Sequence, residues 1–75
     1  MMILSFEEKI KLLRESKELT QTELAKELKM TQRKISYLEN GTYEPSLFDI
    51  RMYCLYFGVS ADYLLSLPND LSYPK

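Results

Sequence analysis

A hydroxyl residue followed three positions later by an acid occurs at three points where an apolar helical pattern begins. The pairs are Ser5 with Glu8, Thr20 with Glu23, and Ser46 with Asp49. Each pair fits a capping box, in which the two side chains satisfy each other's free backbone amides. Thr31 and Ser60 are further candidate N-caps without an acid partner. These starts predict helices over residues 5–16, 20–28, 31–39, 46–57 and 60–66.

Glycine and proline lie where these helices are expected to end. Gly41 and Gly58 occupy positions that favour left-handed C-caps, and Pro45 and Pro68 mark points that a helix cannot pass. The sequence shows no alternating strand pattern and no internal repeat. The predicted fold class is therefore all-α, a compact five-helix bundle over residues 1–67 with an irregular C-terminal tail over 68–75.

Each predicted helix carries an apolar stripe that one shared core can collect. In chain order the stripes are Phe6, Ile10 and Leu13; Leu24, Ala25 and Leu28; Ile35 and Leu38; Leu47, Ile50, Cys54 and Phe57; and Leu64 and Leu67.

Length and composition limit the class of protein. A chain of 75 residues suffices for one small domain, and its single cysteine suits a reducing cytoplasm, where we expect the protein to reside. No apolar run approaches the roughly 18 residues of a membrane span. With no histidine and no glycine-rich phosphate loop, the chain predicts no enzyme, metal or cofactor site. A domain this small also predicts no deep small-molecule pocket.

The third predicted helix differs from the others because its outward face carries no carboxylate. That face consists of Gln32, Arg33, Ser36 and Tyr37, with Lys34 at its flank. Such hydrogen-bond donors can reach into a nucleic-acid groove. The net charge of −1 opposes this interpretation. The charge is polarised, however, with four basic against three acidic residues in 20–43 and two against four in 44–75.

Four stretches of this sequence resemble the phage repressor/Cro type of helix-turn-helix DNA-binding domain, the XRE-like family. They are LTQTELAKEL (19–28), TQRKISYLENG (31–41), Pro45-Ser46 and FGVSADYLL (57–65), within a span from Arg14 to Leu65. The resemblance implies a lambda-repressor-like bundle whose second and third helices form the helix-turn-helix. It also implies that the third helix enters the major groove of double-stranded DNA.

The resemblance implies roles for particular residues. Gln21 would anchor the sugar-phosphate backbone. Arg14 would do the same, since an arginine at its position often does so in the family. Gln32 and Arg33 would contact bases, as would Ser36 and Tyr37 one turn further along. The residues expected at phosphates are Lys34, Asn40 and Thr42.

Lys29 departs from the family pattern, which usually has glycine in the turn between the second and third helices. Either Lys29 adopts a left-handed conformation, at a cost of roughly 1 kcal/mol, or the turn itself differs.

Simpler structural roles remain open for several of these residues. Gln32 and Arg33 also fit a solvated helix surface, and Tyr37 could pack sideways on the domain. Arg14 could pair with Glu18 four residues later. For Glu39 we predict a structural role at the end of the third helix.

The fourth helix carries a second apolar stripe, Phe48, Met52 and Leu55, with Tyr56 beside it. The tail could fold back and cover this stripe with Leu71 and Tyr73. A two-fold homodimer, which we favour, would instead place two recognition helices about 34 Å apart.

The predicted function is a sequence-specific transcription regulator. We expect a homodimer that binds a pseudo-palindromic double-stranded DNA operator and represses by occupancy. The alternative is a protein–protein interaction module that keeps the fold and binds its partner through Phe48, Met52 and Leu55.

Overall fold

Five helices follow one another in the computed structural model of this protein, which describes residues 4–67. They are α1 (Phe6–Ser16), α2 (Gln21–Leu28), α3 (Gln32–Glu39), α4 (Leu47–Phe57) and α5 (Ala61–Leu65). The predicted all-α class is confirmed, and every predicted start coincides with the N-cap of its helix. The tail over 68–75, with Leu71 and Tyr73, lies outside the described residues.

All three predicted capping boxes form with both hydrogen bonds. At α1 the Glu8 amide donates to the Ser5 hydroxyl over 3.2 Å, and the Ser5 amide donates to the Glu8 carboxylate over 2.9 Å. The boxes at α2 and α4 have the same geometry. These bonds satisfy amides that a helix start leaves without an intrahelical partner.

One apolar core joins all five helices. Its buried members are Ile10, Leu24, Ala25, Leu28, Ile35, Leu38, Tyr53 and Leu64. Seven of these eight lie on α1, α2, α3 and α5 at positions that the apolar stripes predicted. None of the helices over residues 4–67 is both long enough and apolar enough to span a membrane.

Two stripe predictions near the C-terminal half are wrong. Leu47 is 87% exposed, and α4 instead buries Tyr53 completely. Apolar residues lie nearly all round α4, so periodicity could not identify its buried side. The ring of Tyr53 packs edge-on against Phe6 and stacks on Phe57. Leu67 is also exposed, since it follows the end of α5.

Candidate nucleic-acid interface

The turn between α2 and α3 fixes how α3 is presented. Lys29 adopts the left-handed conformation, with φ 57° and ψ 42°. The next amide, that of Met30, donates to the Ala25 carbonyl over 2.8 Å and closes the end of α2. Of the two turn geometries predicted at Lys29, the left-handed one is therefore found. Buried Ala25, Ile35 and Leu38 then hold the two helices together.

The acid-free face of α3 points away from this core. Gln32 and Arg33 are exposed on its first turn, and Ser36 and Tyr37 are half-buried one turn further along. Thr31 caps the helix by accepting a hydrogen bond from the Lys34 amide over 3.1 Å. The structure therefore brings these four predicted contact residues to one side of the bundle.

Gln21 and Gln32 are joined across the helix-turn-helix. The Gln32 side-chain amide donates from Nε2 to Oε1 of Gln21 over 2.7 Å. Gln21 in turn donates from its own Nε2 to Oε1 of Glu39 over 3.1 Å. A buried carboxylate thus determines the orientation of Gln21, and Gln21 determines that of Gln32.

Arg14 completes this network from α1. Its guanidinium donates from Nε and Nη2 to the two oxygens of Glu39, over 2.7 and 3.0 Å, and from Nη1 to the Leu19 carbonyl over 2.7 Å. The nearby carboxylate of Glu39 raises the pKa of Arg14. The predicted pairing with Glu18 is not the one found, because Glu39 occupies the guanidinium. Among residues 4–67, two of its five N–H groups have no acceptor and remain for another one.

The Glu39 side chain is only 4% exposed, consistent with the structural role predicted for it. No local sequence pattern indicates Arg14 as its partner, because the two residues are 25 positions apart. Only the packing of α1 against α3 brings them together.

Lys34 turns from α3 towards the start of α4. Its ammonium lies 2.8 Å from Oδ1 of Asp49, a carboxylate whose side chain is 3% exposed. Burial alone would raise the pKa of Asp49, but Lys34 and the Ser46 cap together outweigh burial and lower it. The sequence suggested a phosphate contact for Lys34 and a capping role for Asp49, with no sign that they meet.

The loop after α3 contributes polar and aromatic groups beside the acid-free face of α3. Oδ1 of Asn40 accepts from the amide and hydroxyl of Thr42, over 3.0 and 2.5 Å, so the Asn40 side-chain amide points its donors elsewhere. Tyr43 stacks edge-on against Tyr37, with ring centroids 4.8 Å apart. No helical pattern in the sequence singles out Tyr43, because it lies between α3 and α4.

The apolar side of α4 differs in part from the predicted one. Phe48 and Leu55 are 62% and 68% exposed, and the exposed Leu47 extends their face. Met52 and Tyr56 are half-buried against the core. The Lys17 ammonium also covers the Tyr56 ring at 5.2 Å from its centroid.

The comparison with known families agrees with this geometry. A helix-turn-helix family model matches residues 10–64, which is 55 of the 75 residues. A search of curated proteins finds no match. The matched span runs from α1 through α5 and includes the whole interface described above. The chain therefore belongs to the Cro/C1-type (XRE) helix-turn-helix family of DNA-binding regulators.

Proposed function

We propose that this protein is a sequence-specific transcription regulator that inserts α3 into the major groove of a DNA operator. The observation that carries the proposal is the ordered amide of Gln32 on an exposed face without carboxylates. One side-chain N–H of Gln32 is donated to Gln21. Its Oε1 and second N–H have no partner among residues 4–67 and so remain available. A paired acceptor and donor of this kind matches the N6 and N7 edge of adenine.

Arg33 supplies a second base contact in this proposal. It is exposed on the same turn, and its side chain makes no hydrogen bond or ion pair within residues 4–67. A free guanidinium suits the two acceptors of guanine in the major groove. Ser36 and Tyr37 would read the adjacent base pair, where the tyrosine ring can meet a thymine methyl group.

The remaining predicted contacts would hold the DNA backbone. Gln21 lies at the first turn of α2, whose free amides favour a phosphate. Arg14 can offer its two remaining N–H groups, and Asn40 its side-chain amide. Thr42 borders the same face. Lys34 also borders it, but its ammonium is paired with Asp49. Contacts of this kind position the protein without reading sequence.

The exposed α4 face supports a homodimer as the binding form. Phe48 and Leu55 are seven residues apart and so lie on one side of the helix. Burying them between two copies would remove apolar surface from water and pair two recognition helices on a pseudo-palindrome. We propose that Met52 and Tyr56 line the edge of this interface. Repression would follow from occupancy of the operator.

The same α4 face supports a second candidate function, a protein-interaction module that has lost DNA binding. An exposed apolar side chain such as Phe48 or Leu55 can pack against a different protein as well as against a second copy of this chain. The net charge of −1 also favours a partner other than DNA.

Selection from a pool of random duplexes at about 100 mM salt separates the two functions. We expect enrichment of a two-fold-symmetric motif. Arg33→Ala should relax one position of that motif, at a cost of about 1–3 kcal/mol. Lys11→Ala removes the same charge from the outer side of α1 and should leave the motif unchanged. No enrichment, with no binding at low salt, would favour the interaction module.

A further inference from the structure

Asp49 is a buried carboxylate whose two oxygens face different partners. Oδ2 accepts the Ser46 amide over 2.9 Å as part of the α4 capping box. Oδ1 accepts no aligned hydrogen bond from residues 4–67, and the Lys34 ammonium lies 2.8 Å from it. The local helix cap therefore occupies half of the carboxylate, and the other half faces a cation on α3.

Lys34 is one of two basic residues on α3, and Arg33 is the other. The Arg33 side chain is exposed, whereas the Lys34 ammonium is held at α4. A paired ammonium attracts a phosphate less than a free one, because the carboxylate cancels its field at a distance. The pair also resists separation, because loss of the cation would leave the charge of a buried carboxylate uncompensated.

We propose that Asp49 restrains DNA binding by holding the partly exposed Lys34 ammonium at the start of α4. This inference rests on the proposed function, and it adds a residue that sets affinity without touching DNA. Asp49 acts on the DNA backbone only through Lys34 and is therefore a positioning residue. Affinity for DNA then depends more on the base contacts proposed for Gln32 and Arg33 than on positive charges that meet the DNA backbone.

The salt dependence of binding measures this restraint directly. Each cation that neutralises a DNA phosphate adds about −0.9 to the slope of log K against log salt concentration. Asp49→Asn keeps the size of the side chain and an oxygen for the Ser46 amide, but it releases the charge of Lys34. We expect the slope to steepen by about 0.9 and affinity to rise roughly eightfold at about 100 mM salt.

Asp62→Asn is the matched control for Asp49→Asn. Asp62 is an exposed acid in the first turn of α5, so its loss raises the net charge by the same amount. We expect this variant to keep the wild-type slope. An Asp49→Asn slope equal to that of Asp62→Asn, with thermal unfolding confirming a folded protein, would overturn the inference while the proposed function stands.

Lys34→Met is compared in two backgrounds, the wild type and Asp49→Asn. In the wild type its slope should barely change, because a lysine paired with Asp49 neutralises no phosphate. Thermal unfolding checks that the variant with an unpaired Asp49 remains folded. In the Asp49→Asn background Lys34→Met should remove the whole gain of about 0.9. A loss of about 0.9 in the wild-type background would show a fully available lysine and contradict the restraint. Wild-type protein that binds no duplex at low salt would overturn this inference together with the proposed function.

Discussion

The guanidinium of Arg14, in the last turn of α1, donates hydrogen bonds to both oxygens of Glu39, the last residue of α3, over 2.7 and 3.0 Å. The pair is largely buried, and the carboxylate also holds Gln21. One ion pair therefore fastens the end of α3 to the body of the domain and orients an amide on the proposed DNA-contact surface.

Removing Arg14 should leave the Glu39 charge buried without its cation. We expect Arg14→Met to lower the free energy of unfolding by about 3 kcal/mol, because an uncompensated buried charge is costly. Urea unfolding followed by circular dichroism measures the change. Lys11→Met removes the same charge from an exposed position on the same helix and should cost about 0.5 kcal/mol or less. Equal losses for the two variants would show that the ion pair contributes nothing to stability.

Lys29 holds a backbone conformation that glycine adopts without penalty. We expect Lys29→Gly to raise the free energy of unfolding by up to about 1 kcal/mol, because φ is 57° at this position. Lys26→Gly, inside α2, should instead lower it by about 1 kcal/mol. The Tm values of the two variants should therefore shift in opposite directions from that of the wild type. A destabilised Lys29→Gly would mean that the lysine side chain compensates for the backbone strain.

The capping boxes predict a loss of stability in acid. Hydrogen bonds from Ser5 lower the pKa of Glu8, and those from Thr20 lower the pKa of Glu23. Since the folded pKa lies below the unfolded one, this stabilisation is complete above the unfolded value. It is lost as pH falls through the folded pKa.

This loss of stability in acid is testable by thermal unfolding of the Glu8→Gln/Glu23→Gln variant from about pH 7 to about pH 2.5. Its Tm should lie below that of the wild type at neutral pH and converge with it in acid, where the wild-type acids are also uncharged. Glu27→Gln changes an exposed acid of α2 outside the capping box, and it should show no such convergence. A gap that persists at low pH would exclude the capping charges as its cause.

The dimer proposal depends on the exposed side of α4. We expect Leu55→Asp to shift sedimentation towards the monomer and to weaken operator binding at least tenfold, since it places a charge within a buried apolar contact. Leu12→Asp makes the same change at an exposed leucine of α1 and should leave both properties unchanged. A Leu55→Asp variant that still sediments as a dimer would remove this face from the interface.

Sequence alone predicted the features that depend on neighbours a few residues apart. The five helix starts were predictable because each cap joins residues no more than three positions apart. The core side of α2 and α3 was predictable because polar residues cover the rest of each helix. The family was indicated by the resemblance of four stretches to known members, and the family model over residues 10–64 confirms it.

Only the tertiary structure decided the contacts that join distant segments. Arg14 meets Glu39 and Lys34 meets Asp49 because helix packing brings these charges together, and no local spacing encodes either pair. It also selected Tyr53 over Leu47 as the buried residue of α4, whose nearly uniform apolar surface offered several possible sides. Local hydrogen bonds thus determined where each helix begins, and packing determined which charges remain free for a partner.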